Sequence, residues 1–328
     1  MKKQNKVLIT GGSGFIGFHL AKHLAEKGYK VDLCGNKIKP DDDDEIRDFL
    51  KKTNSRYINI DLTEKKEFEK LDNDYCQVYH LAAVCGTKYF YSEPERVLRV
   101  NTLSTINLLD WIKSTKCKDI FYASSAEVYG GTIQEFGWGV PTGEDVPAYV
   151  GALKNPRSSY GMSKLIGEYF FLNYAKKYGL NVRIGRYHNI YGERMGTDHV
   201  IAEFCQRICK KVNPFPIFGG DATRSFIYVE DGVKAARLIM ETDKTISEII
   251  NIGSEEEVTI SKVADELFKI GDFHPKVEIK PSPKGSVKRR CPSIEKLIKI
   301  TNYSPTISLQ EGLKKTFLWY KSKSSKNE

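Results

Sequence analysis

The chain has 328 residues, 40% of them hydrophobic and 28% charged, with a formal net charge of +9. This is the composition of a soluble globular protein with room for one large or two modest domains. No apolar run approaches the ~18 residues a membrane span needs. The charge excess sits largely in lysine-rich ends, including Lys321-Ser322-Lys323-Ser324-Ser325-Lys326, without a helix-turn-helix, zinc-finger or basic-zipper pattern. Neither a membrane nor a nucleic acid is expected as a partner.

The basic N-terminus leads into Val7-Leu8-Ile9-Thr10, too short for a signal-peptide core and read as part of a first strand, Lys6–Thr10. Gly11-Gly12-Ser13-Gly14-Phe15-Ile16-Gly17 follows and opens a helix, Phe15–Lys27. Between strand and helix, the spacing of Gly11, Gly14 and Gly17 gives a tight turn, close backbone approach to a pyrophosphate and close helix packing. The helix N-terminus adds amides and the positive end of a dipole. Gly11, Gly14, Phe15, Ile16 and Gly17 are therefore expected at a dinucleotide cofactor.

A second strand, Lys30–Cys34, ends at Gly35, near the place where a carboxylate usually holds the adenosine ribose. Asn36 could bond a ribose hydroxyl instead, and Lys37 could meet a 2′-phosphate. The expected cofactor is NAD, with NADP left open. Asp32 lies inside the strand and is expected to point elsewhere. The acidic run Asp41–Glu45 reads as a solvated loop or a helix start. After a third strand, Arg56–Ile60, Asp61 and Leu62 could meet adenine, or Asp61 could cap a helix. After the fourth, Gln77–His80, the run Leu81-Ala82-Ala83 offers side chains along which a cofactor could lie. Helix Pro94–Thr115 starts on a proline suited to a first turn. Strand Asp119–Ala123, helix Ser158–Tyr178 and strand Asn181–Arg186 continue the alternation.

Such alternation predicts an α/β fold built on a Rossmann-type, doubly wound parallel sheet covered on both faces. Beyond about residue 187, Pro and Gly punctuate the chain, and helices recur at Val200–Lys211, Glu230–Glu241, Ile260–Phe268 and Leu309–Tyr320. The expected division is an NAD(P)-binding domain over residues 1–187 and a smaller α/β substrate lobe over residues 188–328, with chain crossing back between them. The seven cysteines include no Cys-x-x-Cys and suit free thiols in a reducing cytoplasm. Cys205 and Cys209 lie one helical turn apart without histidine partners, so no metal is expected.

Tyr160 and Lys164 are four residues apart and share one face of their helix. A phenol with a pKa near 10 is a poor base at neutral pH. A nearby ammonium and a cationic nicotinamide both favour phenolate. Together they could supply the roughly 4 kcal/mol that ionisation near neutrality requires. With the glycine-rich turn, this pair points to hydride transfer.

These features combine with Tyr79-His80-Leu81-Ala82-Ala83, Asn101-Thr102, the stretch from Ser124 to Gly130, that from Arg186 to Gly192, that from Thr223 to Asp231, and Asn251-Ile252-Gly253. Together they resemble the extended short-chain dehydrogenase/reductase superfamily, in its NAD-dependent epimerase/dehydratase branch, over nearly the whole chain. The resemblance implies a nucleotide-diphosphate sugar as substrate. It implies that Ser125 bonds the sugar 4-hydroxyl and that Tyr160 takes its proton while hydride leaves C4. Lys164 would hold the cofactor ribose and lower the phenol pKa, with Asn101 also at the cofactor. Asn189, Arg224 and Arg290 match positions that meet the diphosphate or nucleotide, and arginine forks suit phosphate oxygens.

Glu127, two residues past Ser125, bears on which reaction follows. In the families that this chain resembles, simple 4-epimerases usually carry a small residue there. Sugar 4,6-dehydratases carry Glu preceded by Asp, where this chain has Ala126. UDP-glucuronate decarboxylases also carry Glu, and their approach to the tyrosine is similar to Asn155-Pro156-Arg157-Ser158-Ser159. GDP-mannose 3,5-epimerases have cysteine at that place, yet are similar to this chain over Val182 to Gly192 and Cys85-Gly86-Thr87-Lys88-Tyr89-Phe90. Glu127 is expected to be the base that removes a proton next to the keto group, or else a carboxylate orienting the loop. Lys88 and His199 are candidate acids on the opposite face, and His199 could equally contact the nucleotide or be structural.

The expected activity is a nucleotide-diphosphate-sugar epimerase working by transient C4 oxidation. The alternatives are a 4,6-dehydratase or decarboxylase, an NADPH-dependent 4-keto-sugar reductase, and a non-catalytic dinucleotide-binding regulator. In similar proteins the helices matching Pro94–Thr115 and Ser158–Tyr178 pack as a homodimer interface. Ile106, Leu108, Leu109, Phe170 and Phe171 could supply that surface or could be monomer core.

Overall fold

The structure, a computed structural model, describes residues 5–36, 42–282 and 286–324; Lys37 lies outside these. The chain begins β1 (Lys6–Thr10), α1 (Phe15–Glu26), β2 (Lys30–Gly35), α2 (Asp44–Thr53), β3 (Arg56–Asn59), β4 (Gln77–His80), α3 (Thr87–Ser92) and α4 (Pro94–Ile112). It continues through β5 (Asp119–Ser125), α5 (Gly130–Phe136), α6 (Ser158–Tyr178), β6 (Asn181–Tyr187), β7 (Ile190–Tyr191), α7 (Val200–Cys209), β8 (Phe215–Phe218) and β9 (Thr223–Ser225). Then come β10 (Ile227–Tyr228), α8 (Val229–Glu241), β11 (Ile249–Ile252), β12 (Glu257–Thr259), α9 (Ile260–Gly271), β13 (Val277–Lys280), β14 (Arg289–Arg290), α10 (Glu295–Thr301) and α11 (Leu309–Ser324).

The central sheet has seven strands in the order β11-β6-β5-β4-β1-β2-β3, every pair parallel. Alternate strand residues point to opposite faces. Val7, Ile9, Val31, Leu33 and Phe121 thus enter one apolar layer, and Leu8, Val78, Ile120, Val182 and Ile184 the other. Helices α4 and α6 cover the second face, with Leu108, Leu109 and Phe171 fully buried. Those three residues are monomer core and are unavailable to a partner. The doubly wound sheet takes its seventh strand, β11, from beyond residue 188. Strand order reverses between β1 and β4, where such sheets open a crevice for ligands.

The acidic run after β2 gives a helix. Asp43 caps α2, its carboxylate accepting from the amides of Glu45 at 3.1 Å and Ile46 at 3.2 Å. The same carboxylate is ion-paired with Arg194 at 2.7 Å. Asp32 is fully buried and bonded to Tyr75 at 2.8 Å and to Arg56, so it takes no part at the end of β2. No helix among the described residues is long and apolar enough to cross a membrane.

Two histidines tie the sheet to pH. Burial holds His80 and His188 at about 3, Lys164 adding to the effect at His80 and Arg290 and Arg186 at His188. The unfolded chain protonates these rings below about pH 6.5, whereas the folded chain resists until about pH 3. In that window the unfolded state binds more protons, so stability falls as pH falls. The expected loss is about 1.4 kcal/mol per pH unit for each histidine. Urea unfolding at several pH values checks this, and replacing both rings should flatten the slope.

Candidate active site

The C-terminal ends of β1 and β4 form the floor of the crevice. Gly11 has φ +67°, and a Cβ there would lie 2.9 Å from the Ala82 backbone. A Cβ on Gly17 would lie 2.3 Å from the Gly11 carbonyl oxygen, so α1 packs directly on the turn. Gly14 precedes α1 and donates its amide to Gly11. Phe15 and Ile16 follow, partly buried against the core. The Thr10 hydroxyl accepts from the amides of Leu81 and Ala82 at 3.2 Å and donates to Nδ1 of His80 at 2.8 Å. The neutral His80 ring then donates from Nε2 to Thr105 at 3.3 Å. This pins the Leu81-Ala82-Ala83 backbone beside the glycine turn, the small-residue approach that a pyrophosphate-binding crevice needs.

Other expected cofactor residues divide in two groups. Asn36 is exposed just past β2. Asp61 accepts from the amide and hydroxyl of Thr63 at 2.9 and 2.7 Å, so it closes a local turn, and the carbonyl of Leu62 accepts from Asn107 at 3.0 Å. Asn101 is a brace. Its amide oxygen accepts from Val84 at 2.7 Å and its amide nitrogen donates to Ser163 at 3.0 Å, tying the post-β4 loop to α6.

Tyr160 and Lys164 face inward from α6. Lys164 is 3% exposed and donates to the Ala123 carbonyl at 2.7 Å, two residues before Ser125. The Tyr160 ring stacks on Phe90 with centroids 4.8 Å apart, and Lys164 Nζ lies 5.8 Å from its centre. Burial pushes the Tyr160 phenol well above 10, aided by its hydrogen bond with Cys85, and holds Lys164 down at about 8. The expected depression of the phenol is therefore not achieved by the chain's own residues. Ser125 closes β5, its hydroxyl accepting from the Glu127 amide at 3.2 Å.

Beneath these residues lies a buried polar lattice. Ser124 donates to Glu168 at 2.5 Å, and Arg186 clasps Glu168 with two bonds of 2.8 and 2.6 Å. Ser124, Arg186 and Asn251 occupy one register across β5, β6 and β11. Tyr129 joins Arg186 to Asn251, whose amide nitrogen holds the carbonyls of Thr142 and Ser293. The lattice thus sets α6, the end of β5 and the segment after β14 in one frame.

Glu127 accepts from Arg290 at 2.9 Å and lies 3.4 Å from Arg157. Burial opposes its charge, but Arg290, Arg157 and Arg224 outweigh it and hold the carboxyl at about 2. In this arrangement it is a weak base. Arg157 was not among the expected site residues; its signal was a guanidinium just before the Tyr160 helix. Arg224 donates to the carbonyls of Thr223 and Lys288 at 2.7 and 3.3 Å. Asn189, with φ +36°, donates its amide to the Ser225 carbonyl at 2.9 Å. It braces β9, the strand that carries Arg224.

Lys88 is exposed on α3. His199 precedes α7 and burial lowers its pKa. A Cβ on Gly86 would lie 3.2 Å from the Asp198 carboxylate, so the Lys88 turn and the His199 loop face each other. A hollow of about 640 Å³ bordered by His19, Lys22, Glu193 and Trp319 shares no residue with this site. Among the described residues no group of three or more His, Cys, Asp or Glu could hold a metal ion.

Comparison with known proteins gives the family and the fold. The sequence model of the NAD dependent epimerase/dehydratase family covers residues 7–253. The chain is 34% identical to UDP-N-acetyl-alpha-D-glucosaminuronate decarboxylase of Bacillus cytotoxicus, over 98% of each chain. Among solved structures it superposes on Thermotoga maritima UDP-glucose 4-epimerase with UDP-glucose at TM-score 0.86 and 28% identity, covering 97% of this chain and 99% of that one. It superposes on Bacillus cereus UDP-glucuronic acid 4-epimerase, in complex with UDP-glucuronic acid and NAD, at TM-score 0.83 and 28% identity, with the same coverage.

Proposed function

The chain belongs to the NAD dependent epimerase/dehydratase family, and from that premise we propose that it is an epimerase of a UDP-sugar that works by transient oxidation at C4. The observation that supports this reading is Lys164, on α6 one turn after Tyr160, anchored on the Ala123 carbonyl of β5 two residues before Ser125. The crevice at the switch point fits NAD: Gly11, Gly14 and Gly17 leave backbone room, and Ala83 packs against the cluster of Phe90, Val97 and Tyr160. NAD held there would supply the hydride-accepting and hydride-donating chemistry at C4.

The chain's own residues do the rest. Ser125 holds the sugar 4-hydroxyl, and Tyr160 takes its proton. Lys164, anchored on Ala123, offers its ammonium to the ribose. The dry packing of Phe90 on Tyr160 excludes water. Arg224 and Arg290 take the diphosphate. Glu127, a weak base while Arg290 is paired with it, removes the proton beside the keto carbon once Arg290 has turned to the diphosphate, and His199 or Lys88 supplies one from the other face. Turnover in deuterated water tests this assignment. Deuterium should enter a carbon next to C4 of a product of unchanged formula, and Glu127→Gln should abolish uptake while sparing C4 oxidation. Inversion without deuterium would remove Glu127 from the chemistry.

A second reading is decarboxylation of a UDP-hexuronate. It is favoured by the Glu127–Arg290 ion pair close to Tyr160 and by the Bacillus cytotoxicus relative. Release of carbon dioxide from UDP-glucuronate would establish it. We also propose a homodimer in the cytoplasm, formed through α4 and α6 with Ile106, Phe170 and the exposed Tyr169 on the outer face. Sedimentation tests it.

A further inference from the structure

An epimerase with its base and acid on opposite faces has to be reset after each turnover, because the base ends the reaction holding the proton that it took. Glu127 stands in a wall with a space on each side. Its Oε1 faces the arginines, accepting from Arg290 at 2.9 Å with Arg157 3.4 Å away. On its other side lies a small hollow of about 20 Å³, bordered by Glu127, Gly130, Glu135, Gly151, Asn155 and Ser158. Of the residues given above to the sugar and the diphosphate, Glu127 alone borders it. Gly130 and Gly151 keep the hollow open. A Cβ on Gly130 would stand 3.9 Å from Oε2 of Glu127 and 3.0 Å from the Val150 carbonyl oxygen. A Cβ on Gly151 would stand 3.2 Å from the Ser158 hydroxyl and 3.7 Å from Oε1 of Glu135, an exposed residue. Oε2 of Glu127 therefore lies at one end of the hollow, and Ser158 and Glu135 lie at the other. The volume exceeds the roughly 10–15 Å³ that one water needs, and Glu127, Glu135, Asn155 and Ser158 offer it polar partners.

We propose that this hollow holds one water through which Glu127 returns its proton to solvent, with Glu135 as the acceptor at the mouth. The proposal rests on the epimerase reading above. In the reset the O–H bond at Oε2 of Glu127 breaks and its proton passes to the water. The water gives one of its own protons to the Glu135 carboxylate, and Glu135 yields it to buffer in bulk solvent. Glu127 is left as a carboxylate and the water is regenerated. The ion pair drives the step. When product leaves and Arg290 returns, the guanidiniums hold the Glu127 carboxyl at about 2, so a proton on it is expelled at neutral pH. The pairing that makes Glu127 a weak base at rest is thus what clears it for the next sugar. Glu135 acts through the water and not on the sugar, as a positioning residue.

Isotope effects on turnover test this in the NAD-loaded wild type, Glu135→Gln and Gly130→Ala. The probes are UDP-glucose and UDP-glucuronate, each with hydrogen or deuterium at C4, in light and heavy water at low and high imidazole. Gly130 has φ −50°, which any residue adopts, so alanine there closes the hollow with a methyl group once the Val150 carbonyl gives way slightly. Glu135 is exposed, so Glu135→Gln keeps the fold whatever Gly130→Ala does. In the wild type, deuterium at C4 slows turnover. In both variants reset becomes the slow step, so the C4 effect is lost and a solvent deuterium effect takes its place. Imidazole restores Glu135→Gln by accepting the proton at the mouth, and it leaves Gly130→Ala slow. A Glu135→Gln enzyme with the C4 and solvent effects of the wild type overturns the proposal and leaves the epimerase reading intact. A wild type that converts neither sugar and takes up no deuterium overturns both.

Discussion

Tyr160→Phe is expected to lower turnover by about 10²- to 10⁴-fold while NAD stays bound. The substitution removes one hydroxyl and keeps the ring that stacks on Phe90 at 4.8 Å. It leaves Lys164 on the Ala123 carbonyl and Ser125 at the end of β5. Among the described residues nothing else in the crevice replaces the phenol. Glu127 is held by arginines, and His80 is neutral and bonded on both ring nitrogens. Because burial, with Cys85 beside it, raises the phenol above its usual range, its function as a base depends on positive charge brought by the bound cofactor and on Lys164. The pH profile should therefore reflect Lys164, held at about 8, with activity lost as that ammonium deprotonates. Turnover, bound NAD by mass spectrometry and the pH profile together check this. Near-normal turnover in Tyr160→Phe would mean that another group takes the proton.

Glu168→Gln should destabilise the fold by about 3–5 kcal/mol. Glu168 lies on the same face of α6 as Tyr160 and Lys164, and its side chain and that of Arg186 are almost wholly buried. Removing its charge leaves the Arg186 guanidinium without its carboxylate in a dry interior, which costs far more than the pair contributes when intact. The loss should reach the chemistry, since Ser124 and the Tyr129–Asn251 branch hang on the same lattice. The double variant Glu168→Leu with Arg186→Met removes both charges and should recover much of the stability. Denaturant unfolding of the three proteins measures it. A loss below about 1 kcal/mol in Glu168→Gln would show that the pair is not buried as described.

The cofactor half was legible because backbone geometry enforces its residue types. Only glycine fits where Gly11 meets Ala82 and Gly17 meets the Gly11 carbonyl, and strand alternation in Val7, Leu8 and Ile9 reveals a sheet covered twice. Helix α6 was marked at both ends by its sequence. Short elements were less readable. The Asp43 carboxylate that caps α2 also holds Arg194, 151 residues away in sequence. Side-chain commitments were not readable at all. The amides of Asn101 and Asn189 are engaged by loop and strand backbone, a fact of tertiary packing. Arg157 stood in the sequence only within the stretch Asn155–Ser159 that is similar to the decarboxylases' approach to the tyrosine; folding set it beside Glu127. The same folding turned Glu127 from an expected free base into an ion-paired carboxylate.

The most direct test of the central claim uses a UDP-sugar carrying deuterium at C4 in place of hydrogen. The account predicts a slower reaction with the labelled sugar, transient reduced nicotinamide in the absorption spectrum, and return of the label to C4 in the product. A reaction indifferent to the label, with no reduced nicotinamide formed during turnover, would contradict oxidation at C4 and with it the roles given to Ser125, Tyr160 and Lys164.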